Sequence, residues 1–431
     1  MKEIIKRIII RILTLEARAV LARYKPTVIA VTGNLGKTSA KEAIFAALAT
    51  AYHVRKSEKS LNSDIGVPLA ILGRESGWND PLKWLGNIVE GLLLAVIPSD
   101  YPKWLVLEVG ADRPGDIKSL ASWLAPDIAV ITGIPDVPVH IEFFSSVEEL
   151  AAEKRELAAA LKPHGKLVVN GDDARASAIG DEFRAQAARY GFGKENEVAV
   201  SHFGFAMEKG RITGIHFRVN ADGSSLPITV TGVLGRAYAY PILAAAAVAR
   251  AAGLDLITAM QAFEEYRPIA GRMRLLPGAA GAQLIDDTYN ASPAATAAAL
   301  EALAEAKADG RKIAVLGDML ELGKHSVEEH RKIGRLAAQS VDLLVTVGIR
   351  ARGIALSAIE AGLPEARVKQ YEHEESARAG EELRPVLAEG DLVLIKGSQG
   401  LRMEKATAAL LEEPADAPSL LVRQDAAWQE R

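Results

Sequence analysis

The residues best suited to chemistry lie between Val28 and Ser39, in the run VIAVTGNLGKTS. Four apolar residues read as a short buried strand. A loop of Gly33, Asn34, Leu35 and Gly36 follows, and Lys37-Thr38-Ser39 opens a helical run through KEAIFAALAT. Strand, glycine loop and helix in that order form a phosphate cradle, because glycines let the backbone approach an anion and the amides of a helix N-terminus point at it. Lys37 would reach the β- and γ-phosphates of a nucleoside triphosphate, and the Thr38 hydroxyl would sit on Mg²⁺. The usual G-x-x-x-x-G-K-[ST] spacing is shortened here, with only Asn34 and Leu35 between the glycines, so a plain strand-to-helix turn is the competing reading.

Glu108 is the second candidate. Trp104 to Val109 (WLVLEV) reads as a buried strand, and a carboxylate at the C-terminal tip of a parallel strand lies beside the phosphate loop of a doubly wound sheet. That position makes Glu108 a natural Mg²⁺ ligand. By residue type alone, His140 reads as structural and Lys154, on a helix expected from Val147 to Leu161, as solvated.

These residues need a scaffold, and the composition supplies one. The 431 residues, 49% apolar and 25% charged, suit two or three globular domains. A net charge of −4 asks for no nucleic-acid partner. The absence of cysteine excludes disulfides, a zinc ribbon and a thiol nucleophile, and it fits a reducing cytoplasm.

Further strands are expected at Tyr52 to Arg55, Ile128 to Thr132 and Lys166 to Asn170, with antiparallel strands from about 198 to 232 and an alanine-rich helix from Pro241 to Ala252. Near residue 268 a second alternation of strands and helices begins, with strands at 282–285, 312–316, 343–347 and 392–395. The expected division is an N-terminal amphipathic helix over 1–25, a nucleotide-binding domain over 26–267, a second domain over 268–412 and a loop-like tail over 413–431.

Two apolar stretches stand apart. Residues 1–25 show no cleavage site of a signal peptide, and charges recur too often for a membrane span. Residues 78–101 are apolar but interrupted by Asn87 and Glu90. Each reads either as a helix packed on the body or as part of one patch facing a membrane.

Several separated motifs together resemble the Mur ligase family, in its D-alanyl-D-alanine-adding branch. They are TGNLGKTSAKE, LNSDIGVPLAIL, VLEVGADRPGDI, His140 and Lys154 at the family's spacing, IDDTYNASP, VLGDMLELG with His330 downstream, and IKGSQGLRME. The resemblance implies an α/β fold: a central P-loop doubly wound domain of Mur ligase type plus a C-terminal Rossmann-like domain. It implies ATP held by Lys37 and the loop from Gly33 to Ser39, with Arg272, Asp287 and Asn290 reaching the nucleotide from the second domain. It implies two Mg²⁺ ions, one on Thr38 and Glu108, the other on His140 and on a CO₂-derived carbamate of Lys154. Asn62, His330, Lys396, Ser398 and Arg402 are implied on the substrate side. The implied partners are a peptidoglycan precursor and a dipeptide amine, and the implied location is the cytoplasm or the inner face of the membrane.

The sequence departs from the family in three places. Only about thirty residues precede the phosphate loop, too few for the family's UDP-binding domain, which points to an acceptor presented at a membrane. The link GIPDVPV before His140 is two residues longer than the family's. The segment from Gly235 to Pro241 lacks the family's adenine-holding asparagine. Two alternatives follow: a ligase acting on a lipid-linked wall precursor, or a non-catalytic membrane-peripheral ATP-binding module.

Overall fold

The structure, a computed structural model, describes residues 2–58, 61–264, 266–425 and 428, with side chains from Ile4 onward. The chain builds two sheets. In chain order the first contains β1 (Thr27–Thr32), β2 (Val54–Lys56), β3 (Trp104–Glu108), β4 (Ile128–Ile131), β5 (Lys166–Asn170), β6 (Ala187–Gly191), β7 (Val198–Glu208), β8 (Arg211–Ala221) and β9 (Ser224–Thr231). Side by side they run β2-β3-β1-β4-β5-β6-β7-β8-β9. Pairing is parallel from β2 to β7 and antiparallel from β7 to β9.

Helices cover both faces of the parallel part: α1 (Lys2–Tyr24), α2 (Lys37–Ala49), α3 (Gly66–Leu72), α4 (Pro81–Val96), α5 (Asp116–Leu124), α6 (Val147–Ala159), α7 (Ala174–Glu182) and α8 (Ala239–Ala251). The period of two along β1 shows why. Ile29 and Val31 enter the core shared with α2 and α8, while Val28 and Ala30 enter the one shared with α1, α3, α5 and α6. In α8 the run Ala244 to Ala247 is wholly buried, so small side chains let that helix lie close against α2.

The second sheet contains β10 (Arg274–Pro277), β11 (Gln283–Asp287), β12 (Lys312–Gly317), β13 (Leu343–Val347), β14 (Val368–Tyr371) and β15 (Leu392–Lys396), in the order β10-β11-β15-β12-β13-β14. Only β10 is antiparallel. The fold is α/β with two mostly parallel sheets.

Several local expectations are corrected. The strand expected at 52–55 is Val54–Lys56, because Tyr52 instead stacks on Trp104. The segment after Glu412 is no loose loop where it is described. It forms a short helix, Ala417–Leu420, buries Leu421, and accepts a hydrogen bond from Arg274 at the Leu420 carbonyl, 2.8 Å away. The rest of the expected tail, residues 426, 427 and 429–431, lies outside the described residues.

Both apolar stretches are helices that pack on the body along part of their length and leave apolar side chains exposed. Leu13, Ala17 and Val20 of α1 are fully buried, yet Ile4, Ile8 and Leu15 stand in solvent. In α4 only Asn87 and Gly91 are buried. Among the described residues no helix is long and apolar enough to cross a membrane.

Glu16 faces inward from α1 towards α4. Its carboxylate is buried beside Gly91, where any Cβ would collide with it, and one oxygen has no hydrogen-bond partner. Burial pushes this carboxyl up to about 7. A raised carboxyl disfavours folding only where it must ionise, so its cost is absent below the ordinary value of 4.5 and grows as pH rises through 7. Glu16→Gln should therefore raise the melting temperature at pH 8, and the gain should vanish towards pH 4.5 in melts followed by circular dichroism.

Candidate active site

At β1 the strand order reverses, with β3 on one side and β4 on the other. Such a switch point leaves a crevice at the C-terminal ends of the strands. Three adjacent strand ends deliver the site: β1 leads into the glycine loop, β3 ends on Glu108, and β4 leads to His140.

The loop is tightly shaped. Gly33 has φ of 142° and packs so closely on Thr132 that a Cβ would strike its hydroxyl. Gly36 caps α2 in the left-handed region, with φ of 82°. The amides of Asn34 and Leu35 both donate to the Gly133 carbonyl, at 2.8 and 3.2 Å. The Asn34 side chain donates to Val139, the residue before His140, at 3.4 Å. The longer link before His140 is thus tied to the phosphate loop at both ends, and Ile134 within it donates to Asp173 at 2.8 Å.

Thr38 donates its hydroxyl to Glu108 Oε2 at 3.0 Å, and Asn62 donates to Glu108 Oε1 at 3.2 Å. The Ser57 hydroxyl accepts from the Glu108 amide at 3.0 Å. A buried carboxylate with a hydroxyl and an amide side chain around it is a hard oxygen set of the kind Mg²⁺ takes. Asn62, expected on the substrate side, orients this carboxylate. Among the described residues no three His, Asp or Glu side chains gather closely enough to hold a metal alone. A cation at Thr38 and Glu108 would take its other oxygens from phosphate and water.

Lys154 lies on α6, 1% exposed. Burial pushes its amine down to about 7, and the nearby Lys37 charge adds to the effect. Burial also holds Lys37 below the ordinary lysine range, while Glu108 opposes and Arg272 reinforces that shift. Lys37, Glu108, Lys154 and Arg272 therefore share one electrostatic neighbourhood, although Arg272 comes from the second unit. Beside Lys154, the Glu153 carboxylate accepts from the amides of Gly115, Ile117 and Lys118 at 2.9, 2.6 and 3.1 Å, locking the start of α5 onto α6.

His140 meets both units. Its Nδ1 lies 2.9 Å from Glu321 of the second unit and its Nε2 lies 3.7 Å from Asp112. The hydrogen bond from His140 holds the Glu321 carboxyl below its ordinary range. His140 and Glu321 both have left-handed backbones, with φ of 70° and 61°. That costs a non-glycine residue roughly 1 kcal/mol or more, so surrounding packing must impose it.

The second sheet also offers the ends of adjacent strands. Asp287 on β11 accepts from the Lys396 amine of β15 at 2.6 Å and from the Met273 amide at 3.2 Å. Lys396 also donates to the Asn290 carbonyl at 2.9 Å, and the Asn290 side chain accepts from Ala291 and Gln399 amides. Arg272 lies over the Tyr289 ring at 4.3 Å, and its buried Nε has no partner.

Three expected substrate residues are occupied otherwise. His330 is 1% exposed, accepts from the Met319 amide at 3.0 Å, and reaches the Ser326 carbonyl at 2.6 Å. It shapes the GDMLELG loop and faces no cleft. The Ser398 hydroxyl accepts from Leu320 at 2.9 Å. Arg402 pairs with Glu404 at 2.5 Å and donates to the Trp428 carbonyl at 2.8 Å. Asp112 and Glu321 were not singled out from the sequence, although both sit inside the motifs ADRPGDI and DMLELG.

Comparison with known proteins agrees with this architecture. The Mur ligase middle domain matches residues 87–249, and the Mur ligase glutamate ligase domain matches residues 271–399. The UDP-N-acetylmuramoyl-tripeptide–D-alanyl-D-alanine ligase of Bacillus subtilis is 29% identical over 399 residues, spanning 92% of this chain and 79% of its own length. The enzyme of that name from Mycobacterium leprae is 30% identical over 422 residues, 91% of this chain and 75% of its own. Among solved structures, MurF from Acinetobacter baumannii superposes with a TM-score of 0.73 at 25% identity, covering 93% of this chain and 80% of that one. MurF ligase from Thermotoga maritima in complex with ADP shares the fold, with a TM-score of 0.75 at 24% identity over 95% and 84% of the two chains. With two family domains matched in order on the two sheets, and relatives aligned along most of its length, the chain belongs to the Mur ligase family.

Proposed function

We propose that this enzyme joins an amine, D-alanyl-D-alanine, to a peptide carboxylate of a peptidoglycan precursor. As a Mur ligase it is an ATP-dependent ligase that forms an amide bond. The observation that carries the reading is the convergence of Lys37, the Thr38–Glu108 pair and Lys154 at the switch point, with Arg272 reaching them from the second unit. In this reading the division of labour falls at about residue 268, between a nucleotide-holding unit over 26–267 and a second unit over 268–412.

The proposed roles follow from placement. Amides of the loop from Gly33 to Ser39 and the Lys37 ammonium hold the triphosphate. Thr38 and Glu108 hold one Mg²⁺, with Asn62 fixing the carboxylate. His140 and Lys154 hold the second. When bound, Mg²⁺ supplies charge neutralisation on the transferring phosphoryl group. A neutral Lys154 amine reacts with CO₂ to form an N–C bond and lose one proton, which converts a cation-repelling group into an oxygen donor. The depressed Lys154 amine supports this reading, because only the neutral amine is nucleophilic.

In the first step, an oxygen of the acceptor carboxylate attacks the γ-phosphorus and ADP leaves. In the second, the amine nitrogen attacks the acyl carbon, loses a proton, and phosphate leaves. Lys37 and Arg272 stabilise the charge that gathers on the phosphoryl group between the units. The His140–Glu321 contact holds the two units together while both steps proceed. Asp287, Asn290, Lys396 and Ser398 shape the second unit's side of this cleft, as a network of strand-end contacts.

A nucleotide-linked acceptor would be met in the cytoplasm, and a lipid-linked one at the inner face of the membrane. The alternative reading as a ligase of a lipid-linked precursor differs only in that acceptor. Phosphate release with D-alanyl-D-alanine and either acceptor, with products identified by mass spectrometry, separates them. A chain that binds ATP but releases phosphate with neither acceptor would be the non-catalytic module instead.

Lys37→Ala should lower kcat by about a hundredfold or more, as loss of a charge-stabilising group does. Lys154→Ala should abolish turnover while ATP still binds. Isotope-labelled bicarbonate should give the wild-type chain a carbamate carbon signal in NMR that Lys154→Ala lacks. A fully active Lys154→Ala protein, or a signal that persists in it, would remove the carbamate from the mechanism.

A further inference from the structure

We propose that α1 and α4 form a rigid platform that docks on an anionic lipid bilayer, lying in its interface without crossing it. The two helices are clamped together. The Tyr24 hydroxyl lies 3.1 Å from the carbonyls of both Leu94 and Ile97 at the end of α4, and Arg23 donates to the Ala95 carbonyl at 3.3 Å. Tyr24 stacks on Tyr101 with ring centres 4.6 Å apart. At the middle, Gly91 leaves room for the inward Glu16 carboxylate. The pair is seated on the body through Leu13, Ala17 and Val20.

What the platform shows outward is unusual for a protein surface. Four exposed large apolar side chains lie on α1 and eight more between Trp78 and Ile97, against eight in all the rest of the described chain. Ile4, Ile8 and Leu15 on α1, with Leu85, Leu92 and Val96 on α4, are each more than half exposed. Scattered apolar residues need no explanation, but two adjacent helices that share ten of them, with Trp78 and Ile97 at the margins of α4, mark a contact surface.

The charges on the platform name the occupant. Lys6, Arg7, Arg11 and Arg18 of α1 are all exposed, and no acid among the described residues lies within ion-pair reach of them. Of the acids near α4, Glu75 pairs with Lys83 at 3.1 Å and Glu90 with Arg74, while exposed Asp100 has only His53 within reach, at 3.8 Å. Asp80 is engaged as the α4 cap. The one acid of α1 with a described side chain, Glu16, is turned inward.

Beside α1 an open groove of about 710 Å³ is lined by Leu15 and Trp123 together with Arg18, Lys25 and Lys162, the last paired with Asp127 at 2.8 Å. Apolar side chains interleaved with cations, with a basic groove alongside, match acyl chains beneath anionic headgroups. A second copy of the chain would bring the same unpaired cations face to face.

The test is flotation of the full chain with vesicles of phosphatidylcholine alone or with a quarter phosphatidylglycerol, at low and high salt. The chain should float with the anionic vesicles at low salt, far less with the neutral ones, and less as salt screens the charges. Arg7→Glu/Arg11→Glu/Arg18→Glu should lower partitioning by about tenfold or more. Leu85→Ser/Leu92→Ser should lower it independently of salt, and circular dichroism melts would show that both variants fold. Absence of flotation at low salt, or equal flotation with neutral vesicles, would overturn the proposal. So would sedimentation equilibrium showing a dimer that Leu85→Ser/Leu92→Ser dissolves.

Discussion

Two buried lysine amines, one of them set in the field of the other, form the constraint on which the site depends. Lys37 opens α2 and Lys154 sits on α6; burial lowers the proton affinity of both amines, and the Lys37 charge lowers that of Lys154 further. Glu108, against Thr38, offsets part of this for Lys37, while Arg272 from the second unit adds to it. A place with such an excess of positive charge is unsatisfied until anions arrive. In the proposed reading a triphosphate at the loop and a carbamate on Lys154 would both answer it, the carbamate turning a repulsion into an attraction. Glu153 does not answer it by an ion pair: its carboxylate is fixed on the amides at the start of α5, and its charge only partly opposes the lowering of the Lys154 amine.

The second constraint is that the two sheets present their strand ends to one another. The contact between His140 and Glu321 joins them, and both residues hold backbones that a non-glycine residue avoids. Close by, Gly323 packs against Glu142, where a Cβ would lie 3.0 Å from the glutamate side chain. Away from the cleft, Arg211 donates to Gly281 at 2.9 Å and Gln283 to Ile212 at 2.6 Å, so the units also touch along the β8 edge. Two strained residues at a junction are a natural place for an arrangement that forms when the units come together and relaxes when they part.

Much of this was legible in the sequence because it is local. A strand, a glycine loop and a helix obey short-range rules, and β1, the loop and α2 fall where the pattern puts them. Glu108 was legible because a charge after four apolar residues is itself a signal. What the sequence hid depends on contacts distant along the chain. His330 looked like a substrate residue, but a ring nitrogen buried beside the Met319 amide is visible only once the helix Ser326–Ser340 is packed. Arg402 looked free until the end of the chain returned to it through Trp428 and Arg423. Asp112 and Glu321 matter only because strand order brings their loops to His140. The exposed side of α1 was invisible for another reason: periodicity shows that a helix has two faces but not how much of the apolar one its neighbours cover.

The second unit's charges are largely spent on itself, and this shapes what it can recognise. Lys396 is held by Asp287 and the Asn290 carbonyl, Arg402 by Glu404, and Arg423 by Glu404 and the carbonyls of Thr288 and Tyr289. Such pairs fix the loop over Tyr289 rather than reach for a ligand, because separating a buried pair leaves an uncompensated charge. Arg272 differs. Among the described residues it makes no ion pair, its buried Nε has no partner, and its guanidinium carbon lies 4.3 Å from the Tyr289 ring centre, within the field of Lys37. A planar cation fixed in advance loses little freedom when it binds phosphate oxygens. In the proposed reading the second unit acts on the nucleotide through one pre-set arginine, and on the amine through the shape of loops that its internal ion pairs hold still.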